Sequence, residues 1–318
     1  MARPAPRRVP LPRPLTPAGR VAVAAPASAA LDAASADAGL AALAARGLTV
    51  EPGRARAVAH GFLAGTDDER ADELNALLRR DDLDAIVCLR GGYGLLRLLD
   101  RIDYEAARAH PKLVVGYSDV TALLFALWAK AGVPGLSGPM VAPDWPHLDA
   151  ETEAQFWRLA GGDAPVEIAG PGGERPAGLQ GGDAEGTLLA GNLALVTALL
   201  GTPFLPDLTG AILVVEDVGE APYRIDGMLA RLRLAGVLER LGGVVFGLFT
   251  DCAPPTNRRS FTVDEVLADY ARYVNGPVAT GLLYGHVRRK ATVPVGVRAR
   301  LTVDGPDARL VALTPVAR

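Results

Sequence analysis

The sequence has few of the residues on which disulfide frameworks and metal sites depend. Its 318 residues include two cysteines and four histidines. Cys88 and Cys252 lie far apart and form neither a disulfide framework nor a C-x-x-C pair. None of the histidines has the H-E-x-x-H spacing or another metal-ligand spacing. We therefore expect a reducing compartment, the cytoplasm, and neither a metal site nor another cofactor.

Long apolar runs and an excess of charge of one sign are also missing. No run of eighteen apolar residues occurs, so no transmembrane helix is predicted. The chain has 33 Lys and Arg against 36 Asp and Glu, a formal charge of −3, which does not favour binding to nucleic acid. Arg7 and Arg8 ahead of the alanine-rich residues 21–34 imitate a twin-arginine export signal. Because Asp32 interrupts that run, we interpret residues 21–25 as a first β-strand instead.

The sequence is rich in apolar residues, which make up 49% of it and allow a large core in two domains. Residues 20–140 alternate strand and helix signals, a pattern typical of a parallel sheet with helices on both faces. Thr66 and Glu69 form a capping box at the start of the helix predicted for residues 67–80. The other predictions in this part are strands at 21–25, 85–89 and 112–115 and helices at 31–46, from 95 and at 120–130.

The composition changes between residues 144 and 186, where Pro, Gly and acidic residues dominate. We interpret this segment as a linker with one helix near 151–159, and place the domain boundary between residues 148 and 149. The domains are thus 1–148 and 149–318. The second is expected to be smaller and mixed, with helices at 191–200 and 223–234 and strands at 211–215, 243–249 and 298–303.

Ser118 is the one serine of five that follows an apolar strand and precedes a helix, with Gly116 two residues before it. Such a turn exposes a nucleophilic hydroxyl beside unpaired N–H groups at the helix start. The fuller G-x-S-x-G pattern is absent, because Val120 stands at the second glycine. A serine here also fits as the cap of the helix. The local sequence leaves both interpretations open.

A serine nucleophile needs a base and a group that orients the base. His286 lies beside Gly285 after an apolar segment, and Glu216 ends the apolar strand predicted at 211–215. A carboxylate there can accept the imidazole N–H and fix its tautomer. Taken singly, His286 is an ordinary histidine, and Glu216 and Asp217 are equally explained by capping of the downstream helix or by pairing with Arg224. The chain order Ser, Glu, His, which recurs in α/β serine hydrolases, favours a triad.

The loop Arg90-Gly91-Gly92-Tyr93-Gly94 follows a buried strand and offers backbone N–H groups without bulky side chains. Such groups suit an oxyanion hole or an anion site. A dinucleotide loop is disfavoured, because G-G-x-G lacks the G-x-G-x-x-G spacing.

The chain resembles the LD-carboxypeptidases, a family of serine peptidases, over nearly its whole length from about Leu15. The segments that carry the resemblance are 15–23 (LTPAGRVAV), 90–94 (RGGYG), 116–121 (GYSDVT), 137–140 (SGPM), 185–187 (EGT), 191–193 (GNL), 201–203 (GTP), 213–217 (LVVED) and 284–286 (YGH).

The resemblance implies an N-terminal α/β domain of the class I glutamine amidotransferase type that carries Ser118. It further implies a swivelling β/β/α-type C-terminal domain that carries Glu216 and His286, with the active site in the groove between the domains. The N–H groups of Gly92 and Asp119 would form the oxyanion hole. Family members are commonly homodimers.

The activity that the resemblance implies is hydrolysis of the bond between the L-centre of a diamino acid and a terminal D-alanine in a murein tetrapeptide. The diamino acid is meso-diaminopimelate or lysine, the route is an acyl-enzyme, and the setting is peptidoglycan recycling. The candidate substrate contacts are Arg90, Tyr93 and Arg224, with either arginine available for the substrate carboxylate. Within residues 145–185 and 251–262, individual family positions are not assigned.

Two other functions remain open. The first is that of the microcin-immunity peptidases of the same family, which cleave peptidyl-nucleotides; Trp145 is the candidate residue for stacking on the base. The second is binding of muropeptides or nucleotides without turnover. The complete set of Ser118, Glu216 and His286 disfavours a silent binder, because binding alone does not require all three.

Overall fold

The computed structural model describes residues 11–257 and 259–318, so Arg7 and Arg8 lie outside the described residues. The described chain builds two β-sheets, one of six strands and one of eight. Buried apolar side chains from both sheets form one continuous cluster. Within the described ranges, no helix is both long and apolar enough to cross a lipid bilayer.

The first sheet has the strand order β12-β5-β4-β3-β1-β2 and is parallel except for β12. Its strands are β1 Arg20–Ala24, β2 Thr49–Glu51, β3 Ala85–Cys88, β4 Leu113–Val115, β5 Gly135–Ser137 and β12 Val293–Val295. The helices of this part are α1 Ala33–Ala44, α2 Asp67–Leu78, α3 Tyr104–Ala109 and α4 Val120–Ala126. The predicted parallel α/β arrangement is confirmed, and Thr66 and Glu69 form the expected capping box at α2.

The second sheet has the order β13-β8-β9-β10-β11-β7-β14-β6, with β8 to β11 parallel and the remaining pairs antiparallel. Its strands are β6 Val166–Glu167, β7 Ala177–Gln180, β8 Gly182–Asn192, β9 Ile212–Val218, β10 Gly243–Thr250, β11 Val278–Thr280, β13 Val297–Asp304 and β14 Asp307–Ala312. The helices are α5 Ala150–Ala160, α6 Leu193–Ala198, α7 Pro222–Leu234 and α8 Val263–Ala271. The fold class is therefore as predicted, a parallel α/β part followed by a separate β-rich part.

Three predictions about individual elements were wrong. The supposed linker contains the predicted helix, α5, but also β6, β7 and the start of β8. These strands are short or partly exposed, so they lack the apolar run that marks a buried strand. The helix predicted from residue 191 begins only at Leu193, because Gly191 and Asn192 still pair with β9. After Leu95 the chain forms two 3₁₀ turns instead of a helix.

The chain returns to the first sheet near its C-terminus. Strand β12 pairs antiparallel with β5, with Val293 opposite Ser137. The hydroxyls of Ser137 and Tyr284 are 2.7 Å apart and buried. The segment that carries His286 therefore lies against the first sheet, although most of the chain after residue 149 belongs to the second. The boundary between residues 148 and 149 stays a prediction.

Candidate active site

Ser118 occupies a strained turn directly after β4. Its φ is 61°, a left-handed value that only Asp251 shares among the described residues other than glycine. A Cβ on Gly116 would lie 2.9 Å from the Val120 side chain, so the entry to the turn requires glycine. Strain of this kind is retained where the surrounding structure enforces it, and it is the geometry of a nucleophile elbow.

The interpretation of Ser118 as a helix cap is wrong. The N-cap residue of α4 is Asp119, and no side chain caps that helix. Among the residues described, the Ser118 hydroxyl has no hydrogen-bond partner, which leaves the oxygen available to a ligand.

His286 and Glu216 form the predicted pair. His286 Nδ1 lies 2.7 Å from Glu216 Oε2, and the side chains are 21% and 1% exposed. Gly285 permits this approach, because a Cβ there would lie 2.7 Å from the same carboxylate oxygen and its φ is +129°. With a proton on Nδ1 bound to the carboxylate, the other ring nitrogen, Nε2, is the basic one.

Asn192 is a site residue that sequence reasoning left without a role. Its amide nitrogen Nδ2 donates to Glu216 Oε1 at 3.4 Å and to Asp217 Oδ1 at 2.8 Å. Its backbone N–H donates to the Thr121 hydroxyl at 2.9 Å, three residues after Ser118. Asn192 therefore connects the helix that follows the nucleophile to the strand that carries Glu216. The G-N-L segment at residues 191–193 was the available signal.

Asp217, next to Glu216, has a structural task. Its Oδ2 accepts the N–H of Ala194 at 2.9 Å and so caps α6. Burial raises the pKa of Asp217, opposed mainly by the hydrogen bond from Asn192. The alternative that the two acidic residues cap the helix that follows them is wrong, because no side chain caps α7. Asp217 instead caps the preceding helix, α6, and Glu216 is engaged with His286.

The glycine loop lies directly beside the serine. A Cβ on Gly91 would be 3.0 Å from Ser118 Oγ and 3.3 Å from the Asp119 nitrogen. Ser28, also missed from sequence, fixes this loop: its hydroxyl accepts the N–H of Tyr93 at 3.2 Å and its N–H donates to the Gly91 carbonyl at 3.3 Å. Within the described chain, the N–H groups of Gly92 and Asp119 have no protein acceptor. They are thus available to an oxyanion.

The Asp119 carboxylate connects the turn that carries Ser118 to the glycine loop. Its Oδ2 accepts the N–H of Leu95, just beyond the glycine loop, at 3.0 Å. The side chain is buried, and burial raises the pKa of Asp119 to about 6, opposed by the Leu95 hydrogen bond and by Arg70. The charged form is therefore disfavoured in the folded protein.

This pKa predicts a pH-dependent stability difference for Asp119→Asn. The pKa of Asp119 is higher in the folded state than in the unfolded chain. The protonated carboxyl group therefore contributes its full stabilisation of the fold below about pH 4, and that contribution is lost as the pH rises through about 6. The substitution should therefore gain stability relative to wild type between pH 4 and 7, by about 3 kcal/mol at most. Urea unfolding of both proteins across that range measures the difference, and a pH-independent difference would contradict the prediction.

One cavity of about 180 Å³ contains the proposed reacting groups. It is lined by Leu31, Ser35, Arg90, Gly91, Gly92, Tyr117, Ser118, Met140, Ala142, Pro143 and His286. The fold therefore brings Ser118, His286, Gly92 and Arg90 together from distant parts of the sequence. Parallel strands end at the same edge of a sheet, which explains why the loops after β3 and β4 meet here.

Two of the three candidate substrate contacts lie outside the lining of this cavity. Tyr93 is 69% exposed and packs edge-to-face on Phe62, with ring centroids 5.9 Å apart. Arg224 forms an ion pair with Glu220 and lines a separate groove between α6 and α7. Arg90, by contrast, lines the cavity and donates to the Ala29 carbonyl at 3.3 Å.

Trp145 is not available to stack on a nucleotide base, so that prediction was wrong. Its side chain is buried, and its indole nitrogen donates to the Pro139 carbonyl at 3.2 Å. Its ring packs edge-to-face on Phe156 and Trp157. The sequence alone does not show whether a large aromatic residue beside a Pro-rich segment is buried or exposed. Here the tertiary packing buries it.

In the part of the chain that the structure describes, no group of three or more His, Cys, Asp or Glu side chains is arranged to hold a metal ion.

Comparison with known proteins covers both parts of the chain. The family described as LD-carboxypeptidase N-terminal domain matches residues 21–138, and that described as LD-carboxypeptidase C-terminal domain matches residues 185–301. The probable murein peptide carboxypeptidase of Bacillus subtilis is 37% identical over 268 residues, which are 80% of this chain and 80% of that protein. The resemblance drawn from the sequence motifs is confirmed.

Two further proteins cover most of the chain. The crystal structure of muramoyltetrapeptide carboxypeptidase from Oxalobacter formigenes has a TM-score of 0.82 at 31% identity, covering 93% of this chain and 99% of that one. The microcin C7 self-immunity protein MccF of Escherichia coli is 29% identical over 276 residues, 77% of this chain and 79% of that protein.

Proposed function

Because this chain belongs to the LD-carboxypeptidase family, we propose that it removes the terminal D-alanine from murein tetrapeptides. The bond cleaved joins that D-alanine to the L-centre of a diamino acid, meso-diaminopimelate or lysine. Family membership makes the chain a serine carboxypeptidase. The observation that supports the detailed proposal is the 2.7 Å contact between His286 Nδ1 and Glu216 Oε2 beside the cavity that holds Ser118.

The first half of the reaction forms an acyl-enzyme. Nε2 of His286 removes the proton from Ser118 Oγ, which attacks the carbonyl carbon of the diamino acid. Glu216 accepts the Nδ1 proton of His286 in a hydrogen bond and stabilises the imidazolium that results. The imidazolium then protonates the leaving nitrogen, and D-alanine departs. The diamino acid remains bound to Ser118 as an ester.

The second half regenerates the enzyme. His286 removes a proton from a water molecule, which attacks the ester carbonyl, and the proton then returns to Ser118 Oγ as the peptide leaves. In both halves the carbonyl oxygen carries a developing negative charge. The N–H groups of Gly92 and Asp119 are proposed to donate to it. Asp119 directly follows Ser118, Gly92 lines the same cavity as Ser118, and neither N–H has a protein acceptor among the described residues.

Arg90 is the proposed partner of the substrate carboxylate. A carboxypeptidase must recognise a free terminal carboxylate, and the guanidinium binds that group well. Arg90 lines the cavity with Ser118, whereas Arg224 is already paired with Glu220. No acidic side chain of the described residues forms an ion pair with Arg90.

Replacement of Arg90 by glutamine should therefore raise KM about 10- to 100-fold, since one charge-assisted hydrogen bond contributes about 1.5–3 kcal/mol. The turnover number should change much less. Steady-state kinetics of D-alanine release measures both, with Arg224→Gln as the matched variant. If Arg224→Gln raised KM and Arg90→Gln did not, the carboxylate would be assigned to Arg224.

The proposed setting is the recycling of muropeptides in the cytoplasm, by a homodimer. Light scattering of the purified protein measures the oligomeric state directly, and a monomer at working concentrations would contradict that part of the proposal.

The decisive experiment is product analysis by mass spectrometry after incubation with purified murein tetrapeptides that contain either diamino acid. Loss of a single D-alanine, with the tripeptide as coproduct, is expected. Tripeptide offered as substrate should remain intact, because it lacks the terminal D-alanine. An intact tetrapeptide after incubation with folded protein would contradict the proposed substrate.

The similarity to MccF supports a second candidate, hydrolysis of peptidyl-nucleotides. The buried position of Trp145 removes the aromatic residue that was proposed to hold the base. An aspartyl sulfamoyl adenosine substrate, analysed beside the tetrapeptide, distinguishes the two activities, because cleavage releases free aspartate from it.

A further inference from the structure

A buried ion pair lies behind the proposed active site. Lys290 Nζ is 2.7 Å from Asp144 Oδ1, and the side chains are only 3% and 7% exposed. Two buried charges lose hydration that their mutual attraction repays only in part, so such a pair is a poor source of stability. Its position in the structure therefore indicates a role in holding neighbouring side chains in place.

Lys290 holds one aromatic ring. Its Nζ lies 3.8 Å from the ring centroid of Tyr117, a close cation–π contact. The same ring meets the imidazole of His286 edge-to-face, with centroids 5.2 Å apart and an interplanar angle of 68°. Tyr117 also immediately precedes Ser118 in the chain. One ring thus contacts the proposed base and is covalently next to the proposed nucleophile.

Asp144 holds one wall of the cavity. Its Oδ2 accepts a hydrogen bond from the N–H of Met140 at 2.8 Å. Its Oδ1 accepts one from the Tyr117 hydroxyl at 3.4 Å and one from Lys290 Nζ. Met140 and Pro143 line the cavity. The carboxylate therefore joins the cavity wall, the tyrosine and the lysine at one point.

The ion pair also fixes the segment that carries the histidine. Tyr284, two residues before His286, is hydrogen-bonded to Ser137 of the first sheet at 2.7 Å. Lys290, four residues after His286, is paired with Asp144. Between them, residues 288 and 289 are exposed. Contacts before and after His286 in the sequence therefore hold the histidine to the part of the chain that carries Ser118. Its other partner, Glu216, belongs to the second sheet.

We propose that Lys290 is a positioning residue. Together with Asp144 it holds Tyr117, and through that ring it keeps the imidazole of His286 in register with Ser118. This inference rests on the proposed function for the identity of the reacting groups. A base displaced by about 1 Å lowers the rate about 100-fold without weakening ground-state binding, because the reacting atoms no longer meet in line.

Three variants and a control test the role of Lys290. Lys290→Gln removes the cation, and Lys290→Arg keeps it. The double variant Lys290→Met with Asp144→Asn removes both charges, so that no unpaired charge is buried and folding is preserved. Arg289→Gln is the matched control, because Arg289 is the neighbouring residue and its ion pair with Glu151 is exposed.

Two rates are measured for each variant, together with its melting temperature: steady-state release of D-alanine from tetrapeptide, and covalent labelling of Ser118 by a fluorophosphonate. We expect kcat and the labelling rate to fall about 10- to 100-fold in Lys290→Gln and in the double variant, with KM changed less than about threefold. Lys290→Arg should recover much of the loss, and Arg289→Gln should match wild type.

The outcomes separate this inference from the proposed function. Wild-type rates in the folded double variant overturn the role of Lys290, as does a loss confined to KM. If wild-type protein releases no D-alanine but is labelled at Ser118, the proposed substrate is wrong and the labelling rates alone decide on Lys290. Absence of both activities in folded wild-type protein overturns both.

Discussion

Replacement of Ser118 by alanine is expected to reduce D-alanine release by about 10⁴-fold or more, because it removes the atom that forms the acyl-enzyme. The fold should be unaffected. The Ser118 hydroxyl caps no helix, and no hydrogen bond within the described structure is lost. Discontinuous assays of D-alanine under saturating tetrapeptide measure the loss, and circular dichroism confirms the fold.

The matched control for this experiment is Ser260→Ala. Ser260 is exposed and donates to the carbonyl of Phe261, away from the lining of the cavity. It should keep wild-type activity. Residual activity of Ser118→Ala within tenfold of wild type would show that the nucleophile is another group. Trapping of the acyl-enzyme by rapid acid quench adds an independent readout, because a mass increase on the peptide that contains residue 118 is expected in wild type and in Ser260→Ala but not in Ser118→Ala.

Replacement of Glu216 by glutamine is the second change with a very large expected effect, a fall in kcat of about 10³- to 10⁴-fold. Glu216 Oε2 lies 2.7 Å from His286 Nδ1 and is buried. An amide there can offer its NH₂ group to Nδ1 and so stabilise the tautomer with the proton on Nε2, which cannot act as the base. An amide also leaves the imidazolium without its counter-charge.

Glu185→Gln is a suitable control for this substitution, since Glu185 lies on β8 but is partly exposed and pairs with Arg298 at the surface. KM should stay nearly constant in Glu216→Gln, because the carboxylate faces the histidine and not the cavity. A large change in KM with unchanged kcat would instead assign Glu216 to substrate binding. Nitrogen-15 NMR of His286 in each protein reports the tautomer directly.

Local sequence was sufficient for the elements that follow strong physical rules. The buried strands β3 and β4, and β1 after its exposed first residue Arg20, are continuous apolar runs. The helix after Thr66 begins at a capping box. The G-Y-S-D sequence at residues 116–119 requires a turn after a strand, because Gly116 has room for no side chain. These features depend on neighbours within a few residues, so the sequence alone determines them.

Tertiary structure decided which of the polar residues meet. His286 and Glu216 are 70 residues apart and come into contact only because the chain leaves the second sheet after β11 and crosses to the first sheet, where it forms β12. The burial of Trp145 followed from its packing on Phe156 and Trp157, whereas the pairing of Arg224 with Glu220, four residues before it, is a local contact. Hydrogen bonds and ion pairs act over a few ångströms, and only the packed chain defines those distances. The residue types at the site were thus readable from the sequence, whereas the geometry that allows chemistry came from the fold.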